Sequence, residues 1–189
     1  MSDPALESTR RRLTARQADT VDRLGRAAVE LITREGFAGM TVRRVATAAG
    51  VGAATAYTYF SSKDHLVAEV FWRRLVNSPE VAHESADAVT RVVEVLGHIA
   101  MLVADEPEFA GAVTTALLGK DPDVEELRLR IGRDIRERLC AALGPGIGLD
   151  VVESLEMLYA GALVRAGMGY GTYRDIADRL EKSARLMLE

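Results

Sequence analysis

Cysteine is almost missing from this 189-residue chain, where Cys140 stands alone. An intramolecular disulfide and a cysteine-built metal cluster are thereby excluded. His65, His83 and His98 are too scattered to suggest a metal set, and no His-Glu-x-x-His pattern occurs. No apolar run approaches the roughly 20 residues that a membrane span needs, and no apolar leader opens the chain. A cytoplasmic protein without membrane contact, metal or cofactor is therefore expected. Strand-like alternation of any length is missing too, as is any internal repeat. The glycine-rich run Gly167-Met-Gly-Tyr-Gly171 follows a helical pattern and no strand, which rejects it as a phosphate loop. Ser154, Tyr159 and the acids form no visible triad, and Cys140, at the apolar end of a helix, reads as core rather than nucleophile.

What is present is ordinary globular composition, with 48% hydrophobic and 28% charged residues. The net charge of −4 is unevenly spread. Residues 1–60 carry nine arginines against six acids, a balance of +3, while residues 61–189 carry 15 basic against 22 acidic residues, a balance of −7. A basic end on an acidic body suits a localised phosphate-binding surface. Residues 1–13 include Arg10-Arg11-Arg12 and read either as a flexible basic arm able to lie along phosphates or as a solvated tail.

The remaining pattern is helical. Thr14 and Gln17 have capping-box form and open a first helix with the apolar face Val21, Leu24, Ala28, Leu31 and Ile32, ending at Glu35-Gly36. Residues 41–60 then read as two short helices about a tight turn. Thr41 caps the first, Met40 staples onto Val45, and Gly50 accepts the left-handed conformation needed to leave it. Such a pair makes a helix-turn-helix, whose second helix can enter the major groove of DNA. That second helix is unusually short in its side chains. Gly52, Ala53, Ala54 and Thr55 permit close backbone approach, alanine and threonine methyls can touch thymine methyls, and Thr55 and Thr58 can hydrogen-bond. Only Arg43 or Arg44, on the preceding helix, offers a fork that reads guanine, and both can serve phosphates instead.

The order Thr41…Val45-Ala46…Ala49-Gly50-Val51…Thr55…Tyr57-Thr58-Tyr59-Phe60-Ser61-Ser62-Lys63…Leu66 resembles the DNA-binding domain of TetR-family (tetracycline-repressor-like) regulators. The resemblance implies that Thr41, Tyr57, Tyr59 and Lys63 meet DNA phosphates. It also implies an all-α protein of about nine helices, with a three-helix DNA-binding domain over 14–61 and a ligand-binding and dimerisation domain over 62–189. Two positions depart from the family pattern. Gly52 stands where a serine cap is common, and Ala56 where a larger aliphatic residue usually packs.

Ser61 and Ser62 can cap a fourth helix that runs to Asn77-Ser78-Pro79. Beyond it, Asp-Glu-Pro107 and Asp121-Pro122 open the sixth and seventh helices with proline in the first turn, Asp150 with Glu153 caps the eighth, and Thr172 with Asp175 caps the ninth. Ala160, Gly161, Ala162, Ala166 and Gly167 give helix 8 a low profile, so helices 8 and 9 are the expected homodimer surface, which would present two reading heads to a palindromic operator. The resemblance implies a small-molecule effector bound in the second domain. Its candidate lining is largely apolar: Leu96, Ile99, Leu102, Phe109, Val113, Leu117 and Ile135, with His98, Thr114 and Tyr159 as polar fixtures. Trp72 is placed where helix 4 would meet that pocket. The expected function is a ligand-released repressor; the rival readings are a helical ligand-binding protein or an enzyme, neither touching DNA.

Overall fold

A computed structural model describes residues 14–79, 81, 85, 87–146 and 148–188. Among these residues there are nine α-helices and no strand: α1 Ala15–Gly39, α2 Val42–Ala48, α3 Ala53–Tyr59, α4 Lys63–Asn77, α5 Ala88–Ala104, α6 Pro107–Leu118, α7 Pro122–Leu143, α8 Leu149–Gly167 and α9 Tyr173–Leu188. The Arg10–Arg12 arm lies outside the described residues.

Local chemistry sets most of these boundaries. Thr14 Oγ1 accepts from Gln17 N–H while the Gln17 side chain accepts from Thr14 N–H, a complete capping box. Gly36, at φ 74° and ψ 163°, breaks the helical path inside α1 as Glu35-Gly36 predicts. Ser62 Oγ accepts from His65 N–H at 3.0 Å and opens α4. Thr172 and Asp175 satisfy each other's backbone N–H groups at 2.9 and 3.1 Å and open α9. The expected Asp150 cap fails. Helix α8 begins at Leu149 behind Gly148, whose lack of a side chain leaves the first turn without a side-chain cap, and Asp150 sits inside that turn. Cys140 is another correction, because it lies exposed on the outer face of α7 rather than in the core.

The chain forms two compact units. The first takes the described part of Met1–Asn77 together with Glu108–Leu129, and the second takes Ser78–Pro107 with Arg130–Glu189. In the first, α1 packs on α2 and α4, and α2 on α3. Its core is closed by fully buried Leu24, Ile32, Met40, Phe60, Leu66, Phe71 and Leu75. Each such side chain contributes about 1.5–3 kcal/mol by leaving water. In the second, α9 lies along α5 and against α8, with Ile176, Leu180 and Ala184 turned inward. Met187, placed on the same stripe by its spacing, is instead exposed. Arg136 joins α7 to α8 through a bidentate pair with Glu156 at 2.8 and 2.6 Å, which holds the guanidinium firmly charged.

Arginines from distant positions close three helix ends, and no local sequence rule would have found them. Arg128 Nε and Nη2 donate to Leu117 O and Gly119 O, both at 2.7 Å, at the end of α6. Arg91 Nε donates to Ala142 O at 2.7 Å at the end of α7. Arg23 Nη2 donates to Ala49 O at 2.5 Å at the end of α2. A cation there satisfies orphan carbonyls and suits the negative end of the helix dipole.

Candidate functional site

The helix-turn-helix is built as its residues dictate. Thr41 Oγ1 accepts from Arg44 N–H at 3.2 Å, and buried Met40 and Val45 form the staple beneath it. Gly50 takes φ +62°, and Val51 N–H then donates to Ala46 O at 2.9 Å, closing the turn. A side chain at position 50 would be strained and would also press on the Arg23 guanidinium, 3.3 Å from where its Cβ would stand. Arg23 thus pins the turn from α1, a role the sequence did not signal because its partner lies 26 residues away. Arg23→Ala should lower the thermal stability of the head by about 1 kcal/mol, a charged hydrogen bond discounted for its half-exposed setting. Calorimetry checks this, and an unchanged melting curve would contradict the pinning role.

Helix α3 has two distinct faces. Ala56 and Tyr59 point into the core, with Tyr59 only 7% exposed. Ala54, Thr55, Tyr57 and Thr58 face outward, and Tyr57 is 49% exposed. Ala53 is half-buried and Gly52 exposed. Gly52 leaves the helix without a side-chain cap, as its lack of a hydroxyl requires. Thr58 Oγ1 donates to Ala54 O at 3.0 Å, so its remaining lone pairs are what it offers outward. Thr41 keeps its hydroxyl proton available, because its oxygen is the acceptor in the cap.

The cations near this face are arranged unequally. Arg43 is exposed. Arg44 pairs with Glu35 and donates to Gly39 O at 2.7 Å, which ties α2 to the end of α1. Lys63 Nζ donates to Phe37 O at 2.9 Å and lies 4.2 Å from the Phe37 ring centre. These contacts explain a lysine in the first turn of a helix, where the dipole disfavours it. Two ammonium protons remain for another acceptor. Behind α3, the Ser61 hydroxyl bonds Asp123 and sits 3.2 Å from buried His65 Nδ1, fixing the turn after α3 to the start of α7.

The residues expected to line an effector pocket are divided between the two units. Trp72, Phe109, Val113, Thr114 and Leu117 belong to the first, while Leu96, His98, Ile99, Leu102, Ile135 and Tyr159 belong to the second. Trp72 is buried, and its indole N–H has no hydrogen-bond partner among the described residues. Phe109 packs beneath the Arg74 guanidinium at 4.5 Å, and Thr114 Oγ1 donates to Ala110 O at 3.1 Å. Only His98 and Ile99 of that set line a cavity of about 250 Å³ in the second unit. Its apolar wall is Val81, Val95, Ile99 and Ala141; its polar wall is His98, Asp134, Glu137 and Arg138. Among the described residues no group of three or more metal-ligating side chains gathers, and no helix is long and apolar enough to cross a membrane.

Comparison with known proteins places these features in a family. The sequence profile described as "Bacterial regulatory proteins, tetR family" matches residues 24–70, which hold the helix-turn-helix, most of α1 and half of α4. An HTH-type transcriptional regulator of Mycobacterium tuberculosis (strain ATCC 25618 / H37Rv) is 45% identical over 181 residues, covering 95% of this chain and 84% of the relative. A TetR transcriptional regulator from Rhodococcus sp. RHA1 superposes with a TM-score of 0.73 at 23% identity, covering 93% of this chain and 98% of its own, a likeness of fold. FadR of Thermus thermophilus, a TetR-family transcriptional repressor solved with lauroyl-CoA, superposes with a TM-score of 0.57 at 27% identity, covering 89% of this chain and 93% of its own.

Proposed function

Because this chain belongs to the TetR family of bacterial transcriptional regulators, we propose that it is a homodimeric repressor, released from a palindromic operator by a small, largely apolar effector. The observation that carries the reading is the outward face of α3. Four small or hydrogen-bonding side chains, Ala54, Thr55, Tyr57 and Thr58, stand clear of the core on a helix whose inner face is fully packed. A buried hairpin would have no use for an exposed tyrosine beside two exposed threonines. Around that face, Thr41, Arg43 and Lys63 keep donors able to reach phosphates, which set register without reading sequence. Arg44 holds α2 in place through Glu35 and Gly39 O, and its remaining N–H groups are what it offers a phosphate. Tyr59 serves chiefly as the inner anchor of α3. Gly52, Ala53 and Ala54 let the helix backbone come close, so thymine methyls are the natural base contacts.

Dimerisation is proposed through α8 and α9. Met157 on α8 and Leu186 on α9 are 69% and 83% exposed, and Ala160, Gly161 and Gly167 leave the α8 surface low. Apolar surface of this kind on two neighbouring helices fits a four-helix interface between copies. That the Thermus relative is a repressor in complex with lauroyl-CoA supports a small-molecule effector. Such a protein would work in the cytoplasm, needs no cofactor and has no catalytic residue to assign.

Tyr57→Ala should weaken binding to every operator sequence by about tenfold, as loss of a charge-assisted phosphate contact implies. Ala53→Leu should instead change which sequences are preferred. Competition binding with a set of single-base operator variants separates the two. An altered sequence preference in Tyr57→Ala, or uniform weakening in Ala53→Leu, would reverse the assignment of phosphate and base contacts.

A further inference from the structure

Just past α3 stands an ammonium group without a counter-charge. Among the described residues Lys63 Nζ pairs with no carboxylate. Its two contacts, 2.9 Å to Phe37 O and 4.2 Å to the centre of the Phe37 ring, are both uncharged. Arg44, on α2, pairs instead with Glu35. Phe37 and Lys63 are both half-buried. We propose that Phe37 is a positioning residue for DNA binding: its carbonyl and ring face together hold the Lys63 ammonium, its charge uncompensated, for a backbone phosphate. This role rests on the DNA-binding reading above and deepens it.

Packing alone does not account for the arrangement. Met40 N–H already donates to Phe37 O at 3.3 Å, so that carbonyl is satisfied without the lysine. The lysine in turn finds no counter-charge there, and it stands in the first turn of α4, where the helix dipole disfavours a cation. What the two contacts supply is order. A lysine on its flexible four-carbon stem surrenders rotamer freedom when a ligand fixes it, and that loss weakens binding. A clamp formed on folding removes much of that loss from the binding step. Because both partners are uncharged, the attraction for a phosphate oxygen is kept. The carbonyl takes one of the three ammonium protons and leaves the others. Gly36 sets the place of the clamp: its φ of 74° breaks the path of α1 just before Phe37 and redirects the residues that follow.

A double-mutant cycle on the full-length protein separates positioning from packing. The probe is a DNA duplex enriched by the parent from a random pool, titrated over a series of salt concentrations. Lys63→Met should weaken binding about tenfold and lower the slope of log affinity on log salt by about 0.9, one phosphate contact. Phe37→Leu keeps the carbonyl and an apolar side chain but removes the ring face. It should weaken binding about threefold with the salt slope unchanged, because Lys63 still reaches the phosphate. Phe37→Tyr, which keeps a ring, should hold the parent's affinity. In the Lys63→Met background Phe37→Leu should have no effect, whereas a loss of stability would act in both backgrounds alike. NMR supplies a readout without DNA. The Lys63 ε-methylene signal should lie upfield in the parent and in Phe37→Tyr, and at its ordinary position in Phe37→Leu. An equal loss from Phe37→Leu in both backgrounds, or an unshifted Lys63 signal in the parent, would overturn the role of Phe37. A salt slope unmoved by Lys63→Met would overturn the phosphate as the partner of Lys63. A parent whose Lys63 signal is shifted but which enriches no duplex contradicts the DNA-binding reading, and the phosphate contact with it.

Discussion

Replacing Phe60 by alanine should destabilise the DNA-reading head by about 3–5 kcal/mol and abolish operator binding at ordinary temperatures. Phe60 is fully buried where α3 ends, tilted against Tyr59 at 6.4 Å and meeting His65 edge-on at 5.6 Å. Aromatic pairs of this geometry contribute beyond the area they bury. The residue after it, Ser61, carries the link to Asp123, so a void at position 60 loosens both the recognition helix and its attachment to α7. Helix α3 has little to fall back on: it spans seven residues, lacks a side-chain cap and buries only Ala56 and Tyr59. Isolated helices of that length are unstable in water. Urea denaturation followed by Trp72 fluorescence reads the loss, since α4 belongs to the same unit. A variant that unfolds at the parent's midpoint and still retards operator DNA would contradict this picture of the head.

The second large effect concerns assembly. Met157→Glu combined with Leu186→Glu places two like charges per chain on the proposed α8–α9 contact. Both positions are exposed within one chain, so folding of the protomer should be nearly unaffected. Across a dimer interface the same carboxylates would be desolvated against each other, which disfavours association strongly. Light scattering should report a monomer. Operator affinity should fall to the nonspecific level, about a thousandfold or more, because one head reads too few base pairs. A double variant that stays dimeric moves the interface elsewhere. One that becomes monomeric yet binds its operator as before contradicts the requirement for two heads.

The reading head was legible in the sequence because its determinants are local. Thr14, Thr41 and Ser62 signal helix starts by hydroxyl chemistry, and Gly50 signals a left-handed turn, each within a few residues of its partner. The resemblance implied a register of phosphate contacts on the same short stretch, but not their state in the free protein. Arg23 on the turn, Lys63 on Phe37 and Ser61 with His65 and Asp123 all join residues far apart in sequence or across a helix packing, so composition and spacing are silent about them. Tyr59 shows the same limit. Its spacing from Ala56 places it inward, which its residue type alone does not reveal. Pocket residues were harder still, since every apolar residue of a helical body is a plausible lining until packing assigns it. His98 stands out in the sequence because a polar residue on an apolar helix has to be explained; Asp134, Glu137 and Arg138, which line the same cavity from α7, give no such signal.

Selection of binding sites from a random DNA pool, using the purified full-length protein, tests the central claim most directly. A homodimer presenting two α3 helices should enrich one two-fold symmetric sequence, its half-sites centred about 34 Å apart or at a multiple of the helical turn, and that enrichment should vanish in Tyr57→Ala. Recovery of unenriched sequence, or of an asymmetric motif that survives Tyr57→Ala, would contradict the account.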